Sequence, residues 1–224
     1  MEETDVEHLS RLFPDANVFQ YNYLDDDIDY IAAKVKMEKD KLASKDVFAS
    51  YQKLPQKLID DLNNPNIKWI ILINPPFATA QTSGANSDSK AGVSITNIRR
   101  LMHQCNLGEV SRELFSQFLF RIKYEFADKN THLAIFSTLK YLNATNDAKF
   151  REFIFQFEFI RGFVFSSSNF SGTAKGNGFP VGCIVWNLSN SLKLDEQKIV
   201  LDYSMTKQER LAKKALEWKT KKCF

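Results

Sequence analysis

Four consecutive residues, Asn74-Pro75-Pro76-Phe77, can hold a planar substrate that carries an amino group. The side-chain carbonyl of Asn74 accepts hydrogen bonds, and because proline has no N–H, this turn also leaves backbone carbonyl groups free to accept. Phe77 adds a flat apolar face on which an aromatic ring can stack. The alternative is an Asn-Pro-Pro turn that only ends a strand, since Asn and Pro are ordinary turn residues.

The residues on either side of this motif predict how it is positioned. Residues 67–73 are mostly apolar, and the run is too short for a helix. Such a run is typical of a buried parallel strand, and ligands of open α/β sheets bind at the carboxyl ends of the strands. Residues 78–92 are rich in Ser, Thr, Asn and Gly without an apolar period, so we expect a loop that acts as a lid.

Helical and extended patterns alternate along the rest of the chain. The sequence predicts helices at residues 2–13, 29–42, 55–62, 93–104, 109–126 and 149–157. Further strands are predicted at residues 17–21, 133–137, 159–166, 181–186 and 199–203. A glycine-rich connection at 172–178 predicts that the strands around it are antiparallel neighbours. We therefore expect a three-layer α/β domain over residues 1–205 and a basic amphipathic helix over residues 206–224.

Composition and charge restrict the class of protein. The 224 residues are 44% hydrophobic and include 19 phenylalanines, which indicates a globular protein, and the formal net charge of +3 does not by itself indicate nucleic acid. Three cysteines without metal-ligand spacing and three scattered histidines favour a reducing cytoplasm and predict no metal site. No run of 18 apolar residues is present and the amino end is acidic, so we expect neither a membrane span nor a signal peptide.

The order of these features resembles the amino-methyltransferases that use S-adenosylmethionine, above all the adenine-N6 DNA methyltransferases. In that family an Asn/Asp-Pro-Pro-aromatic motif ends the fourth strand, and residues 74–77 fit it residue for residue. The resemblance continues through residues 115–119 of the next helix, residues 135–138 of the fifth strand and residues 165–170 before a hairpin. It implies a Rossmann-like sheet, mostly parallel, with a terminal antiparallel hairpin.

The resemblance also implies a chemistry. An adenine inside a duplex cannot present its amine to a methyl donor, so it must be flipped out of the stack. Asn74 and the Pro75 carbonyl would accept hydrogen bonds from that amine, Pro76 would complete the rigid turn, and Phe77 would stack on the base. Phe170 is the candidate for a second aromatic contact, with Phe179 as the alternative. The function implied is adenine methylation in a restriction-modification system.

The chain departs from the family on the cofactor side. The family has a glycine-rich loop after its first strand, but no glycine precedes Gly84 here, and no acidic residue for the cofactor ribose is identifiable. The resemblance then implies that the first two strands are missing, through a truncated gene, a shortened chain or a split N-terminal or specificity subunit. Residues 18–21 would be the third strand. Asn22, Asp25 and Asn74 would be the candidates for binding S-adenosylmethionine.

Several basic and acidic residues have two interpretations. Lys90, Arg99 and Arg100 flank the expected lid and can contact DNA phosphate, as can Lys175 in the glycine-rich connection, but ordinary surface charge is the alternative. The aspartates at 25–29 indicate a turn and a helix start rather than a metal site.

Two other functions stay open alongside adenine methylation in double-stranded DNA. One is methylation of guanine in ribosomal RNA or of a protein glutamine, because the same motif can hold another planar amine. The other is a non-catalytic binding module that has lost cofactor binding.

Overall fold

The computed structural model of the chain describes residues 3–41, 50–75, 95–169, 179–203 and 212–214. The chain divides into two compact units, residues 1–64 and residues 65–224, and each unit has its own set of elements.

The first unit is helical, as its sequence predicts. It contains α1 (Glu3–Leu12), α2 (Ile28–Asp40) and α3 (Gln56–Asn63). Helix α2 buries Ile31 and Val35 on one side, and Tyr30 on the same helix stacks on Tyr51 with the ring centroids 4.2 Å apart. Pro55 stands at the N-cap of α3, where its missing N–H costs no helical hydrogen bond.

The predicted strand at residues 17–21 is wrong. These residues have no regular secondary structure, and the described part of the first unit contains no strand with which they could pair. Aspartate side chains provide hydrogen-bond acceptors instead: the Asn22 N–H donates to Asp26 Oδ2 at 2.8 Å, and the Tyr21 hydroxyl donates to Asp27 Oδ2 at 3.0 Å. These local bonds close a turn, as expected for the aspartate cluster.

The second unit contains a six-stranded sheet with helices between its strands. Its strands are β1 (Trp69–Ile73), β2 (Thr131–Thr138), β3 (Glu158–Ser166), β4 (Pro180–Asn187), β5 (Leu201–Tyr203) and β6 (Ala212–Lys214). Its helices are α4 (Asn97–Gln104), α5 (Leu114–Phe126), α6 (Lys140–Asn143) and α7 (Ala148–Phe153), with 3-10 turns at Gly108–Arg112, Thr145–Asp147, Ser167–Asn169 and Leu194–Glu196.

The strand order is β1-β2-β4-β3-β5-β6. Strand β1 is parallel to β2 and β3 is parallel to β5, whereas β2–β4, β4–β3 and β5–β6 are antiparallel. The prediction that β3 and β4 are antiparallel neighbours is confirmed. Strands β1, β2, β3 and β5 run in one direction and β4 and β6 run in the other, so the described sheet is mostly parallel with some antiparallel pairs, as predicted.

One face of this sheet is covered by the described helices. Leu133 and Ile135 of β2 are fully buried on that face, and Trp186 of β4 is packed edge-on against Phe155 with the ring centroids 4.8 Å apart. Trp69 of β1 contacts Phe126 of α5 at 5.5 Å, which fixes α5 across the first two strands. The aromatic periodicity of α5 is therefore explained by core packing, as its sequence predicts.

The opposite face is open at β1, where Ile70 and Leu72 are 84% and 69% exposed. No described helix of the second unit covers these two side chains, and the three-layer arrangement over residues 1–205 stays a prediction. The prediction that β1 is buried is wrong for these two side chains, because β1 is the edge strand of the described sheet and has a neighbour on one side only.

The basic helix predicted at residues 206–224 differs from the structure at Ala212–Lys214. These three residues form β6, and Lys214 pairs with Leu201 of β5 in an antiparallel ladder. A weak helix propensity is overridden because the neighbouring strand supplies hydrogen-bond partners. The other residues of the predicted helix lie outside the described part of the chain.

Replacing Gly162 by alanine is expected to destabilise the second unit by about 1–3 kcal/mol. A Cβ at this position of β3 would lie 2.9 Å from the carbonyl oxygen of Cys183 and 3.1 Å from the Cα of Ile184. Both atoms belong to the backbone of β4 and cannot move without disturbing the ladder. Gly182→Ala is the control, since its closest clash, at 2.6 Å, is with the mobile end of the Leu139 side chain. Equal losses in urea unfolding would contradict this explanation.

Candidate functional site

Asn74 lies directly after β1, and its side chain is exposed, whereas Pro75 is buried. Ile73 pairs with Ile135 in the parallel ladder, so the next residues of both strands reach the same edge of the sheet. Strand β1 ends before Pro75, because proline has no N–H with which to continue the ladder. The structure therefore presents the Asn74 amide at the carboxyl edge of two parallel strands, as its sequence predicts.

An apolar surface adjoins Asn74 on the open face of the sheet. One step beyond the β1–β2 register places Asn74 alongside Phe136 of β2. The Phe136 ring packs edge-on against Phe165 of β3 at 6.3 Å, beside buried Val181 and Cys183. Side chains alternate between the two faces along β2, and this alternation would have placed Phe136 on the apolar surface. Sequence reasoning gave Phe136 no role.

The amino end of β4 lies at the same edge of the sheet, because Val181 pairs with Thr138 at the end of β2. Phe179, just before β4, is 40% exposed, and its N–H donates to Ser167 Oγ at 3.0 Å. The Ser167 N–H in turn donates to the Phe179 carbonyl at 2.9 Å. The alternative aromatic candidate is thus held at the edge where Asn74 lies.

Apart from the two arginines of α4, the other predicted site residues fall into two groups. One group lies outside the described part of the chain and consists of Pro76, Phe77, Lys90, Phe170 and Lys175. The other group, Asn22 and Asp25, lies in the first unit within a closed turn. The Asn22 Nδ2 donates to Asp25 Oδ2 at 3.0 Å, and its Oδ1 accepts from the Leu24 N–H at 3.2 Å. Both polar groups of the Asn22 side chain are therefore already engaged.

The amino end of α4 is fixed by a buried hydrogen-bond network. Thr96 caps the helix, since its Oγ1 accepts from the Arg99 N–H at 3.1 Å. The same hydroxyl donates to Gln117 Oε1 at 2.6 Å, and Gln117 Nε2 donates to the Ser111 carbonyl at 2.8 Å. Gln117 belongs to the segment that resembles the methyltransferases, and its observed contacts position α4.

The two arginines predicted to meet phosphate differ in environment. Arg100 is exposed, and its Nη1 donates to Asn97 Oδ1 at 2.7 Å. Arg99 is only 5% exposed, and its Nε has no hydrogen-bond partner. The prediction of surface charge therefore applies to Arg100 but not to Arg99, because Arg99 projects from the buried side of α4.

Two titratable groups near the end of β2 are held in their neutral forms. Burial raises the pKa of the Tyr141 hydroxyl far above its usual value, and Ser137 and Trp186 offset part of this effect. Burial also raises the pKa of the Cys183 thiol. Both groups are therefore poor nucleophiles at neutral pH.

Asp147, just before α7, is a buried carboxylate that sequence reasoning did not identify. It is 4% exposed, and its Oδ2 has no hydrogen-bond partner. Burial raises the pKa of Asp147, and this effect outweighs the opposing influence of nearby Arg151. Nothing in the local sequence distinguishes Asp147 from a surface aspartate, because its burial arises from tertiary packing.

Asp147→Asn is expected to stabilise the fold by about 1 kcal/mol at pH 7. Because the pKa of Asp147 is raised in the folded protein, the folded state binds this proton more tightly than the unfolded chain does. The ionised carboxylate therefore costs stability at neutral pH, and this cost disappears as the pH falls towards the ordinary value of 3.8. Thermal melts from pH 7 to pH 4 should show the gain shrinking, with exposed Asp195→Asn as the control. A loss of stability at pH 7 would contradict the prediction.

The described ranges contain no helix that is long and apolar enough to cross a membrane. Across the same ranges, no three His, Cys, Asp or Glu side chains are grouped so that they could hold a metal ion.

Comparisons with known proteins were made against family models, curated proteins and solved structures. No protein-family model matches the chain, and no curated protein matches it. The structure of the Type IIL restriction-modification enzyme MmeI in complex with DNA is similar, with a TM-score of 0.46 and 14% sequence identity over 73% of this chain and 20% of that chain. The chain thus spans about a fifth of the length of that enzyme. We infer neither the fold nor the function of the chain from this likeness.

Proposed function

We propose that the chain holds the target base in a DNA adenine-N6 methyltransferase of the restriction-modification type, which uses S-adenosylmethionine. The observation that supports this proposal is the exposed Asn74 amide, placed directly after β1 at the carboxyl edge of the β1–β2 pair. Buried Pro75 restricts the backbone there, which orients the backbone carbonyl beside the Asn74 side chain before the substrate arrives.

The residues of this edge would act on the exocyclic amine of a flipped adenine. Asn74 Oδ1 and the Pro75 carbonyl would each accept a hydrogen bond from one N–H of that amine. Two acceptors favour a pyramidal nitrogen and localise its lone pair. S-adenosylmethionine, when bound, supplies a methyl group on a positively charged sulfur. No strong general base is needed, since orientation and fixed dipoles lower the barrier.

The closed turn at Asn22 presents no free side-chain amide to the methyl donor, and we assign no step to that donor. Asn22 was the candidate for the donor's adenine, but its amide N–H and carbonyl groups are engaged by Asp25 and Leu24. The strand that would present it is not formed. A role of Asn22, Asp25 or Asn74 in cofactor binding stays a prediction.

Contacts to double-stranded DNA are part of the same proposal. Phe77 and Phe170 would stack on the flipped base, while Lys90, Arg100 and Lys175 would contact backbone phosphates. Phe179 is the alternative to Phe170, and its exposure at the edge that carries Asn74 supports it.

A second candidate function is that of a binding module that works with an N-terminal or specificity subunit. The closed turn at Asn22 favours this candidate, because it leaves the described residues without a visible donor site. Methylation of ribosomal RNA guanine or of a protein glutamine uses the same acceptors, and it is an outcome that the test below detects.

The test is to express the chain in a bacterial host that lacks adenine methylation. Mass spectrometry of nucleosides from the genomic DNA should detect N6-methyladenine. The same cells provide ribosomal RNA nucleosides and tryptic peptides, and a methyl group found only there would replace DNA as the substrate. Calorimetry of the purified chain with S-adenosylmethionine completes the test. No binding and no methylated product would overturn the enzyme assignment in favour of the binding module.

A further inference from the structure

Arg99 is a buried arginine whose Nε has no hydrogen-bond partner in the described part of the chain. Arg99 is 5% exposed, and no described carboxylate forms an ion pair with it. Taking a guanidinium out of water is costly unless an opposite charge compensates it. An unpaired buried arginine is therefore a position where an anion is expected.

Arg121 shows how this chain otherwise buries a guanidinium. It is fully buried in α5, and both its Nε and its Nη2 lie 2.9 Å from Glu125 Oε1. Glu125 is one helical turn away and is itself buried. Packing alone thus does not account for Arg99, since the comparable arginine has a carboxylate in contact and Arg99 has none among the described residues.

The position of Arg99 on α4 adds a second argument. Arg99 and Arg100 stand in the first turn of this eight-residue helix, which has no acidic residue there. The amino end of a helix is positive, so two cations are unfavourable at this place and an anion is favourable. Helical side chains lean towards the amino end of their helix, so we expect the Arg99 guanidinium to lie over this first turn.

The surroundings of this turn are already rigid. Thr96 and Gln117 hold the amino end of α4, and Asn97 orients the Arg100 guanidinium. A tetrahedral oxyanion matches this set of donors, because an arginine fork can donate two parallel hydrogen bonds to phosphate.

We propose that the first turn of α4 is a receptor for one phosphate-type oxyanion, with Arg99 on its buried side and Arg100 on its exposed side. On the basis of the proposed function, its natural occupant is a single backbone phosphate of the bound DNA. Arg99 is then a preformed anion site rather than one of several surface contacts, and Arg100 contributes the exposed side of the same site.

The experiment compares the whole chain with Arg99→Met, Arg99→Lys and Arg11→Met, a control on the exposed side of α1. Melting temperatures are measured in sodium phosphate and in sodium chloride of equal ionic strength. Phosphate should raise the melting temperature of the unchanged protein and of the control. Arg99→Met should melt above the unchanged protein in chloride, because it no longer buries a charge, and should gain nothing from phosphate. Arg99→Lys should keep part of the gain, since it keeps the charge without the fork.

Binding of a fluorescein-labelled duplex of mixed sequence identifies the source of the phosphate. Arg99→Met should weaken binding about tenfold and lower the slope of affinity against salt by about one phosphate contact. A lower melting temperature of Arg99→Met together with an unchanged salt slope would overturn the receptor. A phosphate effect without a change in duplex binding would overturn the DNA assignment. Methylation is not read in these assays, so failure of the receptor and failure of the proposed function are distinguishable.

Discussion

Asn74→Ala is expected to lower the yield of N6-methyladenine by about 10²–10³-fold, the size of effect seen when one fixed polar contact to a reacting centre is removed. The physical reason is that the amine loses the acceptor that keeps its nitrogen pyramidal. The fold should be unaffected, since the Asn74 side chain is exposed and follows the last residue of β1. Mass spectrometry of host DNA gives the yield, and thermal melts check the fold.

Two variants make this result specific. Asn74→Asp keeps an acceptor oxygen and should retain part of the activity. Asn130→Ala removes an equally exposed amide at the amino end of β2, on the opposite edge of the sheet, and should leave the yield unchanged. A duplex with 2-aminopurine in place of the target adenine adds a readout that needs no cofactor. If Asn74→Ala matches the unchanged protein in yield and in 2-aminopurine fluorescence, the acceptor role is wrong.

The largest expected loss of stability comes from Glu125→Ala, about 3–5 kcal/mol. Glu125 provides the negative charge that contacts the Arg121 guanidinium in the interior of α5. Removing it leaves the positive charge buried, and water cannot replace the carboxylate without opening the helix–sheet core. Urea unfolding followed by circular dichroism measures the effect.

The double variant Arg121→Met with Glu125→Leu is the matched control. It removes both charges and fills the space with apolar side chains, which costs little in comparable buried pairs. We expect its stability to lie within about 1 kcal/mol of the unchanged protein, because a buried pair is close to neutral against apolar groups of similar volume. A double variant as unstable as Glu125→Ala would show that side-chain shape, not charge, holds this part of α5.

Elements with a strong local pattern were predictable from the sequence. The four-residue recurrence of apolar side chains identifies α5, and the Pro-Pro pair identifies the end of β1. Residues 17–21 have the alternation of a strand, but the described part of the first unit offers no strand beside them, and the following aspartates accept hydrogen bonds from the Tyr21 hydroxyl and the Asn22 N–H. At Ala212–Lys214 the reverse occurs, since a neighbouring strand overrides a helical pattern.

In the candidate site, too, features set by the local sequence were predictable and features set by tertiary packing were not. The place of Asn74 was predictable, because proline chemistry and the end of an apolar run are both local features. The burial of Arg99 and Asp147 was not predictable, since both residue types are normally exposed and only tertiary packing determines their surroundings. The open face at Ile70 and Leu72 was missed for a related reason. An apolar run indicates a strand, but it does not reveal whether another layer covers it.

The exposed edge at β1 also bears on how the chain avoids aggregation. The Trp69 N–H donates to the Asn130 carbonyl, so alternation directs the backbone groups of Ile70 and Leu72 away from β2. Outward backbone groups beside exposed apolar side chains are the template on which unrelated strands add and precipitate. Lys68 precedes this segment and prolines follow it at 75 and 76, so gatekeeper residues limit such growth to the five residues of β1. Pro75, which follows the candidate acceptor Asn74, thereby also limits strand addition at this edge.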